Sequence, residues 1–277
     1  MDDSADQTLA PSRRERRRRR PRRGISVLGV LGELLITGGV LVMLFLAWQL
    51  WFNDMLMANE QSSAAGEISQ DWIEQDRQAQ AEAEQNGTET DSEAAPVAEE
   101  GYGDPIVAAA PGDGEAFAVL YVPRFGADYN RTIAGGTGRN VLNSTRLGIG
   151  HYPGTQMPGE VGNFAVAAHR SAYGGGMHLI NELQLGDAIY VQTADGYYTY
   201  RYRDMEYVSP ATVGVIAPVP NAPDAPPIDR LITLTSCNPL YSTAERIIAY
   251  GVLESWQPTS AGAPAELAPI IAAQAQG

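Results

Sequence analysis

A thiol, an imidazole and a guanidinium are the groups in this sequence best suited to covalent chemistry. Cys237 is the single cysteine among 277 residues, and it closes the apolar, β-branched run LITLTSC. Arg246 follows nine residues later, at the head of RIIAYGVLES. His169 lies far upstream, at the end of a similar run, NFAVAAH, and just before a glycine-rich loop. A thiol attacks as the thiolate, so it needs a cationic or proton-accepting neighbour. His169 can take that proton and pass it to a leaving group. Arg246 stays protonated and can hold an oxyanion or a substrate carbonyl with its fork of donors. Each residue also has a plainer reading. A lone cysteine can be small buried filler, a lone histidine a structural residue, and a lone arginine an ion-paired one. His151, in the turn-like GHYPGT, and His178, at the start of a short helix, are competing bases.

Other chemistries find little support. One cysteine excludes an internal disulfide and a multi-cysteine metal site. Nothing has the ligand spacing of a zinc motif such as HExxH. No phosphate-binding P-loop or dinucleotide fingerprint is present, because Gly174 to Gly176 follow a strand but lack the pattern. No cofactor and no metal are therefore expected.

The elements that position the three groups lie between residues 114 and 257. Short runs rich in Val, Ile, Tyr and Thr alternate there with Gly, Pro, Asn and Asp: AFAVLYVPRF, RTIAGG, LGIGHYP, GNFAVAAHR, AIYVQT, YYTYRYRDMEYV, LITLTSC and RIIAYGVLES. Tyr198, Tyr200 and Tyr202 alternate with Thr199, Arg201 and Arg203 as an amphipathic strand requires. Asp195-Gly196 ahead of them is a hairpin signal. Only Met177 to Leu183 reads as a helix in this region. An all-β domain of about seven or eight strands follows, either a closed barrel or a sandwich.

The rest of the chain reads as delivery. Net charge is −14, yet nine of the 19 basic residues fall between Arg13 and Arg23, and all basic residues are arginine. Residues 1–24 are polar and aperiodic, and are expected to be disordered. Residues 25–52, ISVLGVLGELLITGGVLVMLFLAWQLWF, carry one charge, Glu33. That length suffices for an uncleaved bilayer-spanning anchor, with Trp48 and Trp51 at its far interface. Arginines before the span and none until Arg77 after it place the N-terminus in the cytoplasm and the bulk of the chain outside. Topology thus accounts for the arginine run, and no nucleic-acid partner is expected. Residues 53–113 are rich in Ala, Glu, Gln, Ser and Asp and read as an acidic, flexible spacer, with a solvated helix at most over 68–85. Residues 258–277 read as a disordered Ala/Pro tail.

The stretch LITLTSCNP, with arginine in STAERII, resembles the TLxTC signature of sortases. GHYPGTQMPGEVGNFAVAAHRSAYGGG is similar to the histidine region of that family, particularly its actinobacterial class E. The basic head and uncleaved span are similar as well, so the resemblance covers the anchor and about residues 116–256. Two positions depart from the pattern: Ser236 where threonine usually precedes the cysteine, and Ala168 where glycine often precedes the histidine. The resemblance implies a closed β-barrel of seven to eight strands and a thiol transpeptidase. Cys237 would attack between Thr and Gly of a C-terminal sorting signal, of LAxTG rather than LPxTG type in class E. His169 would be the general acid/base, and Arg246 would hold the substrate backbone and oxyanion. Tyr152 and Ser236 are the expected substrate contacts. Implied partners are secreted proteins bearing the signal, a peptidoglycan precursor amine, and the bilayer through residues 25–52. An L,D-transpeptidase and an anchored, non-catalytic wall-binding module are the alternatives. The first expects a His-Gly-Cys-like context that TSC does not match.

Overall fold

A computed structural model describes residues 26–48, 52–85 and 101–274, which leaves the basic head, residues 49–51 with Trp51, residues 86–100 and the last three residues outside the description. The chain divides into two compact units, Met1–Ala47 and Trp48–Gly277. In the first, helix α1 (Val27–Ala47) is 21 residues of mean hydropathy 2.3 with no buried residue. At 1.5 Å per residue it is about 31 Å long, enough to cross a bilayer core.

In the second unit a 33-residue helix, α2 (Asn53–Gln85), precedes the strands. These are β1 (Ala116–Tyr121), β2 (Asn130–Gly135), β3 (Gly148–His151), β4 (Gly162–Ala168), β5 (Ala188–Gln192), β6 (Gly196–Val208), β7 (Arg230–Asn238) and β8 (Glu245–Pro258). A four-residue helix, α3 (Arg139–Leu142), lies between β2 and β3, and α4 (Ala268–Gln274) ends the described chain. The eight strands close into a barrel in the order β1-β2-β3-β4-β7-β8-β6-β5. Pairs β2/β3 and β4/β7 are parallel and the rest antiparallel. The barrel alternative of the sequence reading is thus the one realised. The Asp195-Gly196 signal sits at the β5–β6 hairpin, where Thr193 N–H donates to Gly196 O at 2.9 Å. The helix expected over Met177–Leu183 is reduced to a single 3-10 turn, Ile180–Glu182.

Alternation fills the barrel. Phe164, Val166 and Ala168 of β4, Ile232 and Leu234 of β7, and Ile247 and Ala249 of β8 point inward with Tyr198, Tyr200 and Tyr202 of β6. A second apolar cluster lies outside the barrel wall. Val119, Tyr121, Tyr190 and Tyr197 project outward there and are covered by Ala65, Ile68, Trp72 and Ile73 of α2 and by Leu267 and Ile271 of the C-terminal segment.

This cluster corrects two expectations. Residues 53–85 are not a solvated spacer: Gln61, Ala64, Ala65 and Ser69 form a buried stripe at helical three-and-four spacing. The tail is not structureless either, since Leu267 and Ile271 are buried and α4 follows the barrel. Small side chains let the helix approach closely, and the apolar area it covers belongs to the tyrosines. Ala65 is fully buried. Ala65→Asp would put an unpaired charge there, at a cost on the order of 3 kcal/mol. Urea unfolding of the full chain in detergent should show the lowered midpoint, whereas an unchanged midpoint would mean that the helix does not dock.

Candidate active site

Register alone brings Cys237, His169 and Arg246 to one rim of the barrel. Cys237 and Arg246 are direct partners across the antiparallel β7/β8 pair. Strands β4 and β7 run parallel with Gly162 opposite Arg230 and Ala167 opposite Thr235. The same register, carried two residues further, sets His169 level with Cys237. It holds past the last paired residue, because Ser236 Oγ donates to Ala168 O at 2.8 Å. Inward-facing Ala168, Leu234 and Ile247 fix the parity, so His169, Cys237 and Arg246 all project from the outer face. Three strand ends thus present thiol, imidazole and guanidinium side by side. Cys237 and His169 are half-buried.

His169 is held from two sides. Its Nε2 donates to Asn143 Oδ1 at 2.8 Å, and its ring lies 5.0 Å from that of Tyr173 at 36°. With Nε2–H committed to an amide oxygen, Nδ1 is the nitrogen left to exchange a proton. Burial pushes the imidazole below the ordinary histidine range, and the carboxylate of Asp54, on the first turn of α2, opposes that shift. The ring is therefore mostly neutral at neutral pH. Arg246 anchors its Nη1 on the carbonyls of Thr243 (3.1 Å) and Glu245 (2.9 Å).

The residues next to the three groups are bonded to one another. Arg170, buried beside His169, donates from Nη1 to Asn238 Oδ1 and from Nη2 to Asn181 Oδ1 at 2.9 Å. Asn238, next to Cys237, donates to Glu245 Oε2 at 2.9 Å, and Glu245 precedes Arg246. This chain crosses all three strand ends and fixes their spacing.

The other expected site residues separate. Tyr152 extends β3, its N–H bonding Ala165 O at 3.0 Å, and its hydroxyl reaches Thr235 Oγ1 at 3.0 Å. Thr235 shares the outer face of β7 with Cys237, two residues away, so Tyr152 borders the thiol's surface. Ser236 does not. It is 4% exposed, on the opposite face of the strand, with its hydroxyl spent on Ala168 O. The expected substrate contact at Ser236 is thus turned away from the thiol's face, for the plain reason that adjacent residues of a strand face opposite ways. Thr235, on that face, is itself 4% exposed and its hydroxyl donates to Val166 O at 3.2 Å. The competing bases are committed elsewhere. His151 is buried with Nε2 between Gln156 O (3.0 Å) and Thr155 Oγ1 (2.9 Å), and its ring packs on Phe164. His178 turns Nδ1 to Arg170 O at 3.0 Å. Among the described residues no group of three or more His, Cys, Asp or Glu is placed to hold a metal ion. Asn143 and Arg170 had no sequence signal of their own, because their partners lie 26 and 68 residues away.

The chain is similar to several known proteins. Residues 120–254 match the family described as Sortase domain. Sortase SrtE1 of Streptomyces coelicolor is 32% identical over 241 residues, covering 84% of this chain; the chain spans 59% of that relative's length. Among solved structures, the SrtA sortase from Actinomyces oris shares 41% identity over 60% of this chain and 94% of its own, with a TM-score of 0.56. Sortase E1 from Streptomyces coelicolor, solved with a tripeptide in the active site, shares 34% identity over 57% and 99%, with a TM-score of 0.51.

Proposed function

Because the chain belongs to the sortase family, whose members are cysteine transpeptidases, we propose that it joins secreted proteins to the cell wall from the outer face of the plasma membrane. The observation that carries this reading is the register that places the chain's one thiol level with His169 and opposite Arg246. Cys237 gives its thiol proton to Nδ1 of His169, and the resulting thiolate attacks the carbonyl between Thr and Gly of a C-terminal sorting signal. The tetrahedral oxyanion forms beside Arg246, whose Nε and Nη2 donors serve it and the substrate backbone. His169, protonated at Nδ1, gives its proton to the departing glycine amine, and a thioacyl enzyme remains. A peptidoglycan precursor amine then attacks the thioester, His169 takes the amine proton, and Cys237 leaves with the product released as an amide.

Tyr152, half-buried beside the thiol's strand, is read as a contact to the signal's backbone or small side chain, and the buried Thr235 hydroxyl holds its ring in place. LAxTG is the preferred signal, by likeness to class E relatives. A tripeptide occupies the active site of one such relative, which supports a peptide lying on this surface. Helix α1 anchors the enzyme, and the arginine run before it keeps the N-terminus cytoplasmic.

The test is incubation of the full chain in detergent with LAxTG and LPxTG peptides and a diglycine acceptor, followed by mass spectrometry. A thioacyl adduct on Cys237 and a transpeptidation product are expected, with LAxTG faster. Absence of cleavage of either peptide would sink the proposal. Asn143→Ala frees the Nε2 side of the imidazole, and misplacing the proton-transfer group should lower kcat roughly tenfold with KM little changed. The same assay reads both constants, and an unchanged kcat would remove Asn143 from the site.

A further inference from the structure

Gln61 sits about two turns into α2, outside the Sortase-domain match, and is fully buried. Its Nε2 donates to two backbone carbonyls on separate loops, Ser144 O at 2.8 Å and Tyr173 O at 3.0 Å. Those two loops hold His169. Ser144 follows Asn143, whose amide oxygen accepts from the imidazole, and Tyr173 carries the ring that packs on it. One side-chain amide on the helix therefore ties together both supports of the catalytic imidazole.

The fit around this amide is closed. Gly148 and Gly174 have φ of +96° and +82°, and a Cβ on either would lie 2.8 or 2.5 Å from Gln61 side-chain atoms. Gln61 Oε1 is buried with no hydrogen-bond partner among the described residues. Burying an amide with one end unmatched costs stability, so general adhesion of the helix would be better served by an apolar residue. The two donated bonds are the gain set against that cost. Another buried polar contact of α2, Ser69 Oγ to Gln192 Oε1 at 2.7 Å, lies two helical turns along and touches neither loop.

We propose that Gln61 is a positioning residue for the reaction: docking of α2 on the barrel aligns His169 through the Ser144 and Tyr173 loops. The inference rests on His169 being the proton-transfer group of the proposed transpeptidase. Helix α2 is then a working part of the enzyme, and the Asp54 carboxylate on its first turn opposes the effect of burial on His169.

The experiment uses the full chain in detergent, LAxTG peptide and diglycine, with Gln61→Leu compared against Ser69→Ala. Gln61→Leu keeps the volume and removes both donors. Its kcat should fall roughly tenfold with KM within about twofold, since the imidazole is misplaced and the surface beside Tyr152 is not. Ser69→Ala should lower the thermal midpoint to a similar degree and leave kcat within about twofold, because its contact leads to neither loop. A second readout needs no substrate. The pH profile of iodoacetamide alkylation at Cys237, the only thiol, should shift in Gln61→Leu and stay in place in Ser69→Ala. Should Gln61→Leu fail to accumulate folded, Gln61→Asn, with its amide one methylene short of the two carbonyls, takes its place under the same criteria. The proposal is overturned if kcat and the alkylation profile survive the loss of the amide, or if Ser69→Ala lowers kcat as much. Failure of the wild type to process the peptide would instead overturn the transpeptidase reading, and the alkylation comparison would still report on Gln61.

Discussion

Cys237→Ala should abolish peptide cleavage and transfer, lowering the rate by roughly ten-thousandfold or more, as loss of a nucleophile does in other covalent catalysts. The fold should survive. Cys237 is half-buried at a strand end on the outer face, away from the core cluster that fills the barrel, and substitutions of that kind shift stability by about 0.5 kcal/mol or less. A variant that unfolds at the wild-type temperature yet leaves the peptide intact separates chemistry from structure. Because the chain holds one cysteine, alkylation offers the same test by another route: one equivalent of iodoacetamide should inactivate the wild type, and bound LAxTG peptide should slow the reaction. A non-catalytic wall-binding module predicts the opposite, that alanine at 237 is silent in the cell. Residual cleavage above about one per cent of wild type would require another nucleophile, and the chain has no second thiol to supply it.

The outcome turns on a register that two sequence stretches already contained. NFAVAAHR and LITLTSCN each carry alternating inward residues, and the parallel pairing of β4 with β7 sets them side by side. The strands were legible because small β-strands announce themselves by alternation and by turn residues between them, whereas closure into a barrel and not a sandwich came only from the family resemblance. The same period of two argued against Ser236 as a substrate contact, since the residue next to an outward cysteine must face inward. Proximity in sequence obscured this, and Thr235 is the residue on the thiol's face. Asn143 and Arg170 were not legible, because each acts through a partner far away in the chain. Helix α2 was missed for a different reason. Its buried stripe is glutamine, alanine and serine, which by composition reads as a solvated helix. The apolar surface that gives the stripe something to bury against lies on Tyr121, Tyr190 and Tyr197, outward residues of strands whose inner faces had already accounted for the core. Composition describes one surface at a time, and docking is a property of two.

The pH dependence of the reaction should carry the mark of His169's surroundings. The reactive enzyme holds one proton shared between thiol and imidazole, and acid stops the reaction by adding a second proton at His169. Burial moves that protonation below the ordinary histidine value of about 6.5. The acid limb of kcat/KM for LAxTG cleavage should therefore bend below pH 6.5. A limb centred at or above that value would contradict the half-buried imidazole. Asp54→Asn should move the limb further down, because it removes the carboxylate that opposes burial. Stability carries the same sign. Where a histidine is held neutral in the fold, the unfolded chain binds more protons just below 6.5, so stability falls with acid from about that pH until the folded ring also protonates. His151, also lowered by burial, contributes in the same direction. Thermal unfolding of His169→Gln should thus keep only part of the acid loss seen in the wild type, while its kcat falls by about a hundredfold to ten-thousandfold for want of a proton-transfer group. Loss of activity in His169→Gln with an acid dependence of stability identical to wild type would mean that the ring is exposed, and the Asn143, Tyr173 and Asp54 surroundings would then not be those of the working enzyme.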